Sequence, residues 1–211
     1  MKIPTISAEL IEGLRSRFHP KDRSIYLAAN CLAYLSNGAY LSNAFIAETI
    51  LAASAASVTF SNIPQGFRSL ILYTSARSTA IATSDNIHLR FNGDSGANYD
   101  SQQLFGNAAT ASASTSRATS LPVIVLTEGA NSRANCFAPG IAFIFDYSRT
   151  VEKTAIGLSS AIGDLSADAQ LLTIMRSLHW RNSNVVTSIV LVPASGPNFT
   201  AGSRFQLYGV L

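Results

Sequence analysis

Charge is the first thing this chain is short of. Of its 211 residues 13% are charged, against about 25% in typical soluble proteins. A surface so poor in charge must be covered by Ser, Thr, Asn, Gln and Ala, or be hidden in contacts with other chains. The 15 basic and 12 acidic residues leave a net charge of +3 and no basic run, so nothing tracks a phosphate backbone and nucleic acid is not an expected partner. Cysteine is scarce as well. Cys31 and Cys136 are too few for a disulfide framework and wrongly spaced for zinc, and both read as buried thiols. Long apolar runs are missing too. The N-terminus carries Glu9 and Glu12 where a signal peptide needs an apolar core. The most apolar window, residues 44–56, is dominated by alanine and contains Glu48, well short of the roughly 20 residues that cross a bilayer. Neither secretion by that route nor a membrane anchor is expected.

Catalytic constellations are equally absent. No serine sits in a G-x-S-x-G elbow. His19, His88 and His179 are far apart and lack the carboxylate or histidine spacing of metal ligands, so they read as structural. A glycan-cleaving enzyme needs two carboxylates facing each other across a groove, and the 12 acidic residues offer no favoured pair. The expectation is therefore a protein without enzyme activity, cofactor or metal. The most site-like loop is FNGDSGANYD, residues 91–100. Asp94, Asn98 and Asp100 are oxygen donors suited to calcium, but the EF-hand spacing is not there, and Asn92-Gly93 is what a tight β-turn requires. The turn is the favoured reading. Asn198 begins an N-F-T tripeptide that means nothing without a secretory route. Trp180 and Tyr208 are suited to stacking on a sugar, although single aromatics on strands more often fill a core or an interface.

What is present is a grammar of short strands. In residues 57–78, Val58 and Phe60 alternate with Ser57, Thr59 and Ser61, and Pro64, Gln65 and Gly66 make a turn. Leu70, Leu72 and Thr74 then face one way and Ile71, Tyr73 and Ser75 the other, which suggests a hairpin-like unit. Further strands are expected at 86–92, 97–104, 121–127, 137–147, 151–160, 170–181, 184–192 and 203–211, the last two joined as a terminal hairpin. Residues 106–120, GNAATASASTSRATS, lack bulky side chains and read as a mobile loop or a weak edge. In residues 171–180 the set Leu172, Ile174, Arg176, Leu178 and Trp180 opposes Leu171, Thr173, Met175, Ser177 and His179. Apolar residues in both sets imply a sheet with one face in the core and the other against a partner. The fold class that follows is mainly β, an antiparallel jelly-roll-like β-sandwich over 54–211.

Residues 1–53 read as an attachment arm, partly helical. Ser7 can cap a short helix whose Ile6, Leu10, Ile11, Leu14 and Phe18 share one face. A second apolar segment, 24–35, carries Tyr26 and Leu27 and is compatible with a buried helix or extended chain. These seven residues are the candidate contacts with a capsid or with neighbouring subunits; the plainer reading packs them on their own domain.

Three stretches together carry a resemblance: AASVTFSNIPQGFRSLIL at 55–72, D-x-I-x-L-R-F-N-G-D at 85–94 and TSIVLVPASGPNFTAGSRFQLYGV at 187–210. From about residue 53 to the end, the chain resembles a family of bacteriophage virion proteins, the F-x-A-G-S-R-F-x-L-Y-G pattern at 199–209 being its most specific part. That resemblance implies an attachment segment followed by a β-sandwich on heads or tails, and a homotrimer. The expectation is a capsid decoration, or cement, protein of the virion, made in the host cytoplasm, whose arm binds the major capsid protein. The alternative is a compact tail fibre component that contacts other tail proteins and recognises a host surface glycan.

Overall fold

The computed structural model describes residues 43–107, 110–162 and 171–211. Among the described residues there are twelve strands and no helix. They are β1 (Asn43–Ile50), β2 (Val58–Phe60), β3 (Ser69–Ala76), β4 (Ser84–Phe91), β5 (Tyr99–Asn107), β6 (Thr110–Thr119), β7 (Val123–Glu128), β8 (Ala138–Phe145), β9 (Lys153–Ile162), β10 (Leu171–Trp180), β11 (Ile189–Pro193) and β12 (Arg204–Val210). One sheet has eight strands in the order β1-β12-β3-β8-β9-β10-β5-β6, and the other has four, β2-β11-β4-β7. From β12 to β6, and across the whole small sheet, the ladders are antiparallel.

Period-two alternation explains how the two sheets meet. Leu70 and Leu72 of β3, Ile144 of β8, Leu178 and Trp180 of β10, and Phe205 and Leu207 of β12 point inward from the large sheet. They share one core with Phe60, Leu89, Phe91, Ile124, Ile189 and Leu191 of the small sheet. A satellite cluster of Leu126, Ala138, Ala161, Leu172 and Ile174 extends this core toward the opposite ends of β9 and β10. The core half of the expected reading of β10 is realised: Leu172, Ile174, Arg176, Leu178 and Trp180 are buried, while on the other face Leu171 and Met175 are 67% and 45% exposed.

Each of the ten expected strands is present, with β11 confined to Ile189–Pro193. The connections differ from expectation. β2 and β3 are not a hairpin, because β2 pairs with β11 in the small sheet and β3 with β12 and β8 in the large one. The Gln65-Gly66 turn is thus a crossing between sheets, anchored where Gln65 Nε2 donates to the carbonyls of Ile63 and Val186. β11 and β12 likewise lie in different sheets. Alternation shows which face of a strand is apolar but not which sheet receives it.

Two strands escaped the pattern. β1 lies in the stretch assigned to the arm, yet it forms the edge of the large sheet beside β12, with Glu48 paired to Arg204 at 2.5 Å. β6 occupies most of residues 106–120 and is the other edge of the large sheet, which matches the weak-edge alternative and not the loop. All but the last of its residues are exposed, so neither face carries an apolar signal, and it is held by its ladder to β5 and by Gln103 Nε2 donating to Ser114 Oγ at 2.8 Å. The helical arm and its Ile6, Leu10, Ile11, Leu14, Phe18, Tyr26 and Leu27 lie outside the described residues, as do Cys31 and His19. Cys136 is a free, half-buried thiol rather than a fully buried one. Its Sγ lies 3.7 Å from Glu128 Oε1, and burial followed by this carboxylate raises its pKa.

The 199–209 pattern has a packing rationale. Phe199 and Phe205 meet edge to face at 4.9 Å, and both are fully buried. Ser203 Oγ donates to the carbonyl of Arg77. The Phe67 ring covers Gly209, where an added Cβ would fall 2.3 Å from the ring. Gly209→Ala is therefore expected to force the ring off its site and destabilise the fold by about 1–3 kcal/mol, read as a lower urea midpoint at an unchanged slope. An unchanged midpoint would show that Phe67 moves freely.

Candidate functional site

The outward side of the large sheet is the most unusual surface of the molecule. Cross-strand register aligns Tyr73 with Ile141, Ile141 with Leu158, Leu158 with Met175, and Met175 with Leu104, one apolar row over five strands. A second row beside it runs from Tyr208 through Ile71 and Phe143 to Ile156. Tyr73, Leu104, Ile156, Leu158 and Met175 are 39–50% exposed. At the β12 side the Tyr208 ring stands edge-on to both Phe45 and Tyr73, each at 5.6 Å. No ionisable acid or base interrupts either row. Alternation places these side chains here because each is two residues from its neighbour along a strand whose other side is sealed in the core.

Ionic groups gather at one end of this face. His179 opposes Asp100 across the β10–β5 ladder and lies between two carboxylates, with Nε2 at 2.8 Å from Glu152 Oε2 and Nδ1 at 3.4 Å from Asp100 Oδ2. Arg181 Nε is 3.6 Å from the same Asp100 oxygen. Asp100 is held below the usual carboxylate range, chiefly by the Ala118 N–H that donates to it and then by Arg181, His179 and Arg117 against some desolvation. Beside this cluster is an open cleft of about 450 Å³ bordered by Phe145, Ile156, Gln102, Thr154, Arg117 and His179. Sequence reading missed the cluster because its members come from β5, the β8–β9 connection and β10, and no linear spacing joins them.

The 91–100 loop is built as a turn. Asn92 and Gly93 have φ of 52° and 70°, the conformation for which Asn-Gly is suited, and Asp94 N–H donates back to the Phe91 carbonyl at 2.9 Å. Its carboxylate is engaged by N–H donors. Trp180 Nε1 donates to Oδ2 at 2.7 Å, Gly96 N to Oδ1 at 2.8 Å and Asn98 Nδ2 to both oxygens. Trp180 is buried against Phe91 and Tyr99, so it is core and not a sugar platform. Tyr208 lies on the outer face. His88 is buried, with its pKa lowered by desolvation and then by Arg90.

Asp94 yields a clean test, because Trp180 is the sole tryptophan. Desolvation pushes the Asp94 pKa up, but the Trp180, Asn98 and Gly96 donors outweigh it and hold the group below its ordinary 3.8. A carboxyl depressed by folding stabilises fully above its unfolded value and loses that contribution as pH falls through the folded one. Tryptophan emission is expected to step below pH 3.8, and Asp94→Asn, which keeps an acceptor, should abolish the step. Asp94→Ala should cost about 1–3 kcal/mol by orphaning the buried indole N–H. A step surviving in Asp94→Asn would assign it to another group. Comparison with known proteins finds no matching family model, no matching curated protein and no matching solved structure.

Proposed function

We propose that this chain is a structural protein of a bacteriophage virion, a homotrimeric capsid decoration protein whose outer sheet face is covered by other copies of the chain. The residues that precede β1 would attach it to the major capsid protein through Ile6, Leu10, Ile11, Leu14, Phe18, Tyr26 and Leu27. The observation that carries the reading is the uncharged double row on the large sheet. The nine side chains of the two rows, at strand spacings near 4.8 Å and a same-face repeat near 6.8 Å, give a projected area of ~300 Å². That is at the lower end of the largest apolar patches that typical monomers expose, which are often functional. With the polar side chains around it, such as Gln102, Thr154 and Ser177, it approaches the ~800 Å² per partner of a standard interface. An uncharged centre with ionic groups at its ends is also the anatomy of such interfaces. A surface free of net charge can face its own copy without repulsion.

The strand order supports a jelly roll. β2-β11-β4-β7 has the order of one jelly-roll sheet, and β3-β8 followed by β5-β6 that of the other. The β9–β10 pair is inserted between β8 and β5, and β12 and β1 extend the sheet beyond β3. A compact tail component recognising a host glycan is the second reading. It is favoured by the Phe145 cleft, which sets an exposed ring among hydroxyl, amide and charged groups.

Native mass spectrometry of the purified chain should give a trimer. Leu158→Asp with Met175→Asp places like charges opposite each other on the face, and should yield a monomer with an unchanged circular dichroism spectrum; Met175→Lys alone should weaken the trimer. A trimer that survives both substitutions would remove the face from the interface. Copy number per virion separates the two readings. Parity with the major capsid protein, or a fixed large fraction of it, supports decoration, and a handful of copies supports the tail.

A further inference from the structure

Arg176 is a cation sealed between the sheets with no anion beside it among the described residues. It projects from the inward side of β10 and is only 5% exposed. Its Nε donates to Gln103 Oε1 at 3.1 Å and its Nη2 to Asn86 Oδ1 at 2.7 Å, both neutral amides. The third donor group, Nη1, has no hydrogen-bond partner among the described residues. Desolvation lowers its pKa to about 10 with no charged group opposing the shift. A buried charge left unpaired is costly, and the same guanidinium is the side chain best shaped to take an oxyanion in a two-pronged grip.

The surroundings fit such a ligand. Arg176 borders a cleft of about 330 Å³ between β10 and β5–β6 on one side and β4 and the start of the β11–β12 connection on the other. Its lining includes the hydroxyls and amides of Asn86, Gln103, Ser114 and Ser195 together with His88 and the apolar Leu121, Val123 and Ala194, and no Asp or Glu among the described residues lines it. Asp85 is next to Asn86, but its carboxylate is occupied by Ser78 Oγ and by the N–H groups of Asn86, Ser195 and Gly196. This cleft shares Ser101, Gln102 and Thr115 with the Phe145 cleft, but Arg176 lines only this one, and its reading does not depend on the virion role.

We propose that the inter-sheet cleft binds an oxyanion carried on a hydroxyl-rich body, a uronic acid or a sugar phosphate, with Arg176 gripping the anion and the Ser, Asn and Gln side chains meeting the hydroxyls. The volume suits a single sugar residue. Two in-chain changes separate charge from shape. Gln103→Glu is nearly isosteric and supplies an internal anion to the guanidinium, so it should raise the melting temperature and weaken the ligand. Arg176→Lys keeps the charge and loses the fork.

Isothermal titration calorimetry of the full chain with glucuronate, glucose 6-phosphate and glucose at matched ionic strength tests this. Glucuronate or glucose 6-phosphate should bind and glucose should not, and whichever anion binds identifies carboxylate or phosphate as the source. Both variants should weaken binding by about tenfold or more. The proposal is overturned if neither anion binds the native chain, if glucose binds equally well, or if Gln103→Glu binds as the native chain does. Should Arg176→Lys fail to fold, Gln103→Glu decides alone.

Discussion

The dimension that governs this molecule is the unequal width of its two sheets. At about 4.8 Å between strands, eight strands span ~34 Å and four span ~14 Å. The small sheet can therefore cover only part of the large one. β7 packs over β8, β9 and β10, and Asn86 of β4 reaches Arg176 on β10. On the β6 side the large sheet overhangs, and there the chain changes character: β6 is exposed almost throughout and is made of Ala, Ser and Thr with one Arg. A strand with no cover on either face has no use for large apolar residues, and its composition follows from that. Arg176 and its cleft lie where the cover runs out, which is where a polar group between sheets costs least.

The same geometry explains the low charge. An antiparallel sheet with one face in the core normally places polar and charged residues on the other. Here the outward positions of β3, β8, β9 and β10 hold Tyr73, Ile141, Phe143, Ile156, Leu158 and Met175 instead. The ionic pairs Glu48–Arg204 and Asp100–Arg181 are left to the ends of this face. Exposed pairs of this kind contribute little to stability, so their placement bears on which surfaces can meet. The centre of the face is left without an ion pair among the described residues.

Strand existence was readable wherever one face was apolar and the other polar. β3, β9 and β10 announce themselves by alternation, and the apolar residues on both faces of β10 were legible in its sequence. β1 and β6 were not, for different reasons. The alanines of β1 blur its period, and β6 has no apolar face at all, so only its hydrogen-bond ladder makes it a strand. Sheet membership was beyond reach. β2 and β3, or β11 and β12, look like hairpins because they are consecutive, whereas long-range pairing assigns them to opposite sheets. The Asn92-Gly93 turn was legible because positive φ at two consecutive positions has a strong local signature. The His179 cluster and the Arg176 cleft were not, since each is assembled from strands separated by dozens of residues.

The inward row of β10 shows why a single strand can serve both purposes. Trp180 and Leu178 lie over the widest part of the core, and the Trp180 N–H is satisfied by Asp94 at the tip of the β4–β5 turn. Two positions along, the next inward residue is Arg176, beyond reach of that core but still under β4, and it is held by the amides of Asn86 and Gln103. Two more positions return to Ile174 and the satellite cluster. An aliphatic residue at 176 would join the two apolar clusters into one. The guanidinium interrupts them instead, at the depth where a cleft meets the sheets. There it ties Asn86 of the small sheet to Gln103 of the large one, a link between the sheets that an aliphatic side chain would not make.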